Sequence, residues 1–420
     1  MLSRRNFLVA SGGVLGVGIQ AAVPSYLAAA GLSQEGVTGE TILVAIQMAG
    51  GNDGLNTVVP YRDDHYHRQR PTLALKETEV IRLQDDLGFH PALKPLMPVW
   101  EDGYLAVVQG VGYPQSSDDH ARAMEIWQTA RPDHPLGETG WLGRVGDYLC
   151  EVNRNSWIAA PSVFLGQIPI PLTIVGKHQP AVRAEQAGRL FSFRQQSASL
   201  MQIRHLMQDA TAGRGKVPPG PLAEVIGLQQ QTIQNLMAME QILASPTHVE
   251  VFPKTYFGRQ LSCLTQLLRA DLGVRIYCLD LGGQGPGTFD THALQVANHG
   301  ELLAELAEGL AALAGVLKKD NLLDRVVVYT YSEFGRTIRE NGRKGTDHGS
   351  AAPVFVLGGK VKGGFVGKHP PLDPPEKGGV KHLIDFRSLY ATLLDRWLRV
   401  PSQPILGQTF SHLDLFARLA

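Results

Sequence analysis

The chain has 420 residues, 39 of them Lys or Arg and 39 Asp or Glu, so its formal net charge is zero and the basic excess of a general nucleic-acid binder is missing. Hydrophobic residues make up 44% and charged ones 19%, the balance of a globular protein with a large core, which excludes disorder throughout. Cys150, Cys263 and Cys278 lie far apart with no Cys-x-x-Cys pair, which excludes a zinc ribbon or a disulfide-stapled miniprotein and allows at most one bridge.

Residues 1–30 read as an address. Ser3-Arg4-Arg5-Asn6-Phe7-Leu8 resembles the twin-arginine export motif, and no acidic residue precedes Glu35. The apolar run from Phe7 to Ala22 is broken by Ser11 and four glycines, too weak for a firm membrane anchor, and Ala28-Ala29-Ala30 offers a small-residue cleavage site. The reading is a cleaved signal peptide that engages the twin-arginine (Tat) translocation machinery, a periplasmic or otherwise exported destination, and no stable membrane anchor after cleavage. Residues 31–420 then carry 37 basic and 39 acidic side chains.

The remainder alternates strand and helix patterns. Thr41–Gln47, Leu105–Gln109, Val274–Leu279, Arg325–Thr330 and Pro353–Leu357 are short apolar, β-branched runs, each followed by a glycine or polar loop. Helical patterns span Ala121–Ala130, Leu222–Leu243, Tyr256–Leu272, Gly300–Lys319 and Phe386–Leu398. In the fourth, Leu302, Leu303, Leu306, Leu310, Leu313 and Leu317 make one apolar stripe. Gly213–Pro221 reads as a loop opening a helical insertion at about 195–250, and His369–Gly379 as neither helix nor central strand. The expectation is one α/β domain whose largely parallel sheet is covered by helices on both faces, with ligands at the carboxyl ends of its strands.

Polar segments follow those strands: Asn52-Asp53, Asp290-Thr291-His292, Ser332-Glu333 and Asp347-His348. Carboxylates with imidazoles form a mixed oxygen and nitrogen set suited to zinc, manganese or a similar divalent ion. Each has a plainer reading. Asp53 suits a turn, Asp290 or His292 can cap a helix starting near Asn298, and Glu333 can pair with Arg336. Asp347-His348, set between Gly345 and Gly349, reads as a sharp loop presenting an imidazole. Before the helix at Ala121, Ser117 or Asp118 is placed to be an N-cap, and Ser117 with His120 is the candidate catalytic pair for attack on phosphorus or sulfur. No Gly-x-Ser-x-Gly elbow occurs, and Gly282–Gly287 lacks both the P-loop and the dinucleotide-binding spacing.

SEFGRTIRENGRKGTDHG (Ser332 to Gly349), with QMAGGNDGLNTVVP (Gln47 to Pro60), FDTHALQ (Phe289 to Gln295) and DFRSLYATLLDRWL (Asp385 to Leu398), resembles the domain-of-unknown-function 1501 family, exported bacterial proteins related to the alkaline phosphatase and sulfatase superfamily. The resemblance implies a three-layer α/β/α sandwich, a small anionic phosphate or sulfate ester as substrate, and one or two divalent ions, or none. It implies a metal-ligand set of Asp53, Asp290, His292, Glu333, Asp347 and His348. Phe334 stands where the superfamily has a histidine, and the nucleophile position falls near Ser116–His120 without a match. The competing expectation is a catalytically silent exported binding domain of the same fold.

Overall fold

The computed structural model describes residues 40–133, 137–152, 162–166, 168–178, 181–183, 242–243, 251–282 and 287–417. The signal segment, the loop at Gly213–Pro221 and nearly all of the 222–243 helix and the 195–250 insertion lie outside these residues. Among the described residues no helix is long and apolar enough to cross a membrane.

The strands in chain order are β1 (Ile42–Met48), β2 (Val58–Val59), β3 (Ile81–Arg82), β4 (Gly88–Phe89), β5 (Leu105–Gly112), β6 (Ser162–Phe164), β7 (Val182–Arg183), β8 (Ile276–Leu281), β9 (Val326–Tyr331), β10 (Arg336–Glu340), β11 (Thr346–His348), β12 (Ala352–Leu357), β13 (Gly364–Val366) and β14 (Ile384–Asp385). The helices are α1 (Asp64–Gln69), α2 (Met97–Glu101), α3 (His120–Thr129), α4 (Trp141–Val152), α5 (Tyr256–Ala270), α6 (Gln295–Lys319), α7 (Phe386–Thr392) and α8 (Ser402–Leu406).

A nine-stranded sheet runs β13-β5-β12-β9-β1-β8-β6-β7, with β14 also on β5. All five strands expected from the sequence are in it, and every pairing is parallel except those of β12, which runs against both β5 and β9. The reason is the connection. A parallel return needs a long crossover, whereas β9 reaches β12 through the ribbon β10–β11 with no helix between, so the chain comes back reversed. The reversal carries the start of β12, and the histidine just before it, to the carboxyl edge of the parallel strands.

Side chains alternate across β1. Ile42, Val44, Ile46 and Met48 join the core under α5 and α6, while Leu43 and Ala45 join the core under α3, α4 and α7. This makes an α/β/α sandwich. The leucine stripe of α6 is buried, Leu303, Leu306, Leu313 and Leu317 completely, and each contributes about 1.5–3 kcal/mol of burial. The helix starts at Gln295, five residues before the expected Gly300, because tertiary contacts set its entry: Leu294 N donates to Arg343 O and Gln295 N to Lys344 O. Neither Asp290 nor His292 caps it; Leu294 occupies that position in left-handed geometry, with no side-chain cap. The last expected helix ends as α at Thr392 and continues as a wider π turn, Leu393–Leu398. No disulfide joins Cys150, Cys263 and Cys278.

Candidate metal centre

Three loops meet above the middle of the sheet. The first follows β1, where Gly50 (φ +118°) and Gly51 (φ +87°) permit an approach closed to other residues. A Cβ on Gly50 would lie 2.2 Å from the Asp290 amide nitrogen, and one on Gly51 would lie 2.4 Å from the Phe334 ring. The second loop follows β8 and carries Asp290 and His292. The third follows β9 with Ser332, Glu333 and Phe334 and returns through β10 and β11 to His348.

Ser332 and Arg336 bind these loops together. The Ser332 hydroxyl donates to Met48 O at 2.7 Å and accepts from Asn52 N at 3.0 Å. Arg336, with no exposed side-chain surface, donates to the carbonyls of Gly50, Gly51 (2.8 Å), Phe289 (2.9 Å) and Thr346 (3.2 Å) and to Asp290 Oδ1 at 2.6 Å. It does not pair with Glu333 as a helical neighbour, because the chain bends at Glu333 and enters β10 at Arg336 with no helical turn between them. The sequence contains no signal for this role beyond an arginine next to a glycine.

Three imidazoles surround Asp290. Its Oδ1 lies 3.0 Å from His292 Nε2, 3.3 Å from His348 Nε2 and 3.5 Å from His120 Nε2, and the His292 and His348 Nε2 atoms are 2.9 Å apart. The donor atoms of His120, Asp290 and His348 all lie within 4.8 Å of one another. On the far side of each ring, Nδ1 faces an acceptor. His120 Nδ1 is 2.9 Å from Glu333 Oε1, His292 Nδ1 is 3.0 Å from Asp347 Oδ1, and His348 Nδ1 is 2.6 Å from Asp118 O. A carboxylate or carbonyl can only accept, so each Nδ1 carries a proton and a neutral ring turns an Nε2 lone pair inward. Lone pairs and a carboxylate oxygen facing one another at 3.0–3.5 Å repel unless positive charge lies among them. Protons on the rings or a cation meet that demand.

The charges fit this account. Hydrogen bonding to Glu333 raises the His120 pKa, its burial opposing this and the Glu333 and Asp290 charges adding to it. Burial pushes the Asp290 carboxyl up, but Arg336 and the facing imidazoles hold it below the ordinary range. Asp347 is likewise lowered, burial being outweighed by its hydrogen bonds from Asn341 and His292. The site opens to solvent, with side-chain exposure of 40% at His120, 30% at His292 and 20% at His348.

The expected site residues therefore separate by role. Asp290, His292 and His348 converge, and His120, expected as half of a catalytic pair, joins them as a fourth donor. Glu333 and Asp347 hold imidazoles from behind, with Glu333 Oε1 also accepting from Gly50 N at 2.8 Å. Asp53 is not among the converging donors. It is wholly buried, and Arg70, just after α1, takes both its oxygens at 2.7 and 2.9 Å. The Ser117 hydroxyl is turned back on its own loop, accepting from Asp119 N at 3.2 Å, and the N-cap of α3 is Asp119, not Ser117 or Asp118. His348 lies in a strand, opposite Arg336 in the β10–β11 ribbon, and not in a sharp turn. Its neighbour Gly349 packs on the Arg336 backbone, where a Cβ would lie 2.5 Å away. Phe334 is buried and stacks on the His348 ring, centroids 4.5 Å apart.

Residues 40–407 match the family described as "Protein of unknown function (DUF1501)". The chain belongs to this family. No curated protein matches it. Among solved structures, the C-terminal periplasmic domain of EcEptC from Escherichia coli, in complex with Zn, is similar at TM-score 0.36 and 11% identity, over 77% of this chain and 74% of that one. PsFucS1 sulfatase from Pseudoalteromonas sp. is similar at TM-score 0.37 and 9% identity, over 98% of this chain and 75% of that one. The lipoteichoic acid synthase LtaP from Listeria monocytogenes is similar at TM-score 0.35 and 9% identity, over 88% and 72%. Likeness this distant leaves the chemistry of the DUF1501 chain to its own side chains.

Proposed function

We propose that this DUF1501 protein is an exported metal-dependent hydrolase of a phosphate or sulfate ester, with His120, His292, His348 and Asp290 as the metal ligands. The observation that carries the reading is the convergence of three Nε2 atoms on one carboxylate while every Nδ1 is committed elsewhere. Ligands about 2.0–2.1 Å from a tetrahedral zinc stand roughly 3.3 Å from one another, close to the 3.0–3.5 Å from Asp290 Oδ1 to the three Nε2 atoms. His120, Asp290 and His348 have donor atoms that all lie within 4.8 Å of one another, and His292 would complete the set by closing toward His120 as an ion binds. The nitrogen-rich donor set favours zinc, manganese or a similar ion over calcium or magnesium.

A divalent ion held there supplies Lewis acidity toward a phosphoryl or sulfuryl oxygen and lowers the pKa of water. The protein does the rest. Glu333, Asp347 and the Asp118 carbonyl keep each imidazole in its Nδ1–H tautomer, the outer-shell device that fixes ring orientation. Arg336 holds Asp290 against the glycine loop. With the Ser117 hydroxyl accepting from Asp119 N in its own loop and hydrogen-bonded to no imidazole among the described residues, water is the nucleophile in this reading. Phe334, packed on His348, offers no ligand for a second ion, so the reading is of one metal.

Elemental analysis of the purified mature protein, with a screen of generic phosphate and sulfate esters, tests it. About one equivalent of zinc or manganese and turnover of one ester class is the expected result. A stable fold that takes up no metal and cleaves no ester would make the silent binding domain the better reading. Export by the twin-arginine route is part of the proposal: Arg4→Lys with Arg5→Lys should leave unprocessed precursor in the cytoplasm, and normal processing would refute it.

A further inference from the structure

Gln295, the first residue of α6, is buried with its side chain in three hydrogen bonds. Its Nε2 donates to Asp53 Oδ2, and its Oε1 accepts from Thr291 Oγ1 at 3.0 Å and Thr346 Oγ1 at 2.6 Å. Asp53, Thr291, Gln295 and Thr346 are each at most 2% exposed. The direction of this chain is dictated from one end. Burial pushes the Asp53 carboxyl up, but the charge and hydrogen bonds of Arg70 outweigh it and keep the group ionised, so it can only accept. The amide must therefore turn its nitrogen to Asp53 and its oxygen to the threonines, and both hydroxyls must donate.

The two threonines stand in the segments that carry the donors. Thr291 lies between Asp290 and His292, and Thr346 is two residues before His348 in β11. The backbones are joined at the same level, Thr346 N donating to Thr291 O at 3.1 Å. From its other side the Asp53–Arg70 pair grips β10, the partner of β11, Arg70 donating to Thr337 O at 2.8 Å and Ile338 O at 2.9 Å.

We propose that Gln295 is a positioning residue: oriented by Asp53, it holds the Asp290–His292 loop and the Thr346–His348 strand in the register that brings their donor atoms together. The proposal rests on the metal-centre reading for its affinity readout, not for its geometry. Removing a hydrogen bond made directly to a ligand changes metal affinity about 10–100-fold, and a contact one step further out is expected at the lower end of that range, about 10-fold. A hydrogen bond that served only the fold would lower stability and leave affinity and ring tautomers where they were.

The test uses the full mature protein with Thr291→Val and Thr346→Val combined, the two single variants, and the Thr291→Ser, Thr346→Ser pair as the conservative control. Zinc affinity is measured by competition with a chelating dye. The tautomers of His292 and His348 are read from imidazole nitrogen–proton spectra of the metal-free protein. The valine pair should bind zinc about 10-fold more weakly and show mixed tautomers, each single part of that loss, and the serine pair should stay near wild type. If the valine pair fails to fold, the single variants decide. Zinc affinity and tautomers both unchanged in the valine variants would overturn the proposal, even with a lowered melting temperature. If the wild type itself takes up no zinc while the valine variants still shift the tautomers, the metal reading fails and the positioning role stands.

Discussion

Asp53 follows β1 and Asp290 follows its neighbour β8, and each carboxylate meets an arginine whose side chain has no exposed surface. Arg70 grips Asp53 through two parallel bonds, one to each oxygen, and the whole pair is buried. Arg336 reaches only Oδ1 of Asp290, whose side chain is 34% exposed and which faces three imidazoles. The same pair of residue types thus makes a closed strut in one place and an open donor in the other. What separates them is how many oxygens the guanidinium occupies and whether water reaches the rest. A bidentate, buried pair has spent its valences on the fold.

The most severe way to break that comparison is to remove half of the closed pair. Asp53→Ala or Arg70→Ala should cost about 3–5 kcal/mol of unfolding free energy in denaturant titration, because the partner is left buried and uncompensated. A loss under about 1 kcal/mol, the scale of an exposed pair, would show that the two regions do not differ as argued.

At the open region the expected effect is on metal, not on the metal-free fold. His348→Ala or His120→Ala should abolish zinc uptake, while the metal-free variant melts close to the metal-stripped wild type. The stabilisation lost is the ligand's own, about 2.7 kcal/mol at a free zinc concentration 100 times Kd. Full metal occupancy in either variant would remove that histidine from the centre.

One shell out, the effect shrinks. Asp347→Asn should weaken zinc binding about 10–100-fold without abolishing it, since an amide can still accept from His292 Nδ1 but is a weaker acceptor than the carboxylate. Complete loss of metal, measured by the same competition assay, would make Asp347 a ligand itself.

A third strand-end carboxylate sharpens the contrast. Asp280 near the end of β8 is buried with Oδ2 unpartnered among the described residues, and burial pushes its pKa up to about 6, Tyr256 and Arg183 opposing this only in part. A folded pKa above the unfolded value of 3.8 means that its ionised form destabilises the fold, an effect absent below pH 4 and complete above pH 6. Asp280→Asn should therefore stabilise the protein at pH 8 by about 3 kcal/mol and by little at pH 4, read from melting temperature against pH. Asp53 has the opposite sign. Its lowered pKa gives stability that is present above pH 3.8 and lost as pH falls through the folded value.

The expected strands, the buried leucine stripe of α6 and the gathering of polar segments at one sheet edge were legible because they depend on short-range patterns. A strand shows as a β-branched run and a buried helix face as a three- and four-residue rhythm, each written within a few neighbouring positions. Parallel topology then brings strand ends together whatever the loops contain. The reversal of β12 was less legible, since it depends on how the ribbon before it pairs. The roles of the individual acids were decided only in three dimensions. Asp53 and Asp290 look alike in sequence, but the arginine that closes on Asp53 lies 17 residues away, and Gln295, whose amide links Asp53 to both threonines, lies 242 residues away. Sequence alone determined that carboxylates and imidazoles follow separate strands. Tertiary contacts decided which carboxylate is neutralised on both oxygens and buried, and which keeps an oxygen facing three histidines, because burial and hydrogen-bond partners are properties of the packed chain and not of the residue type.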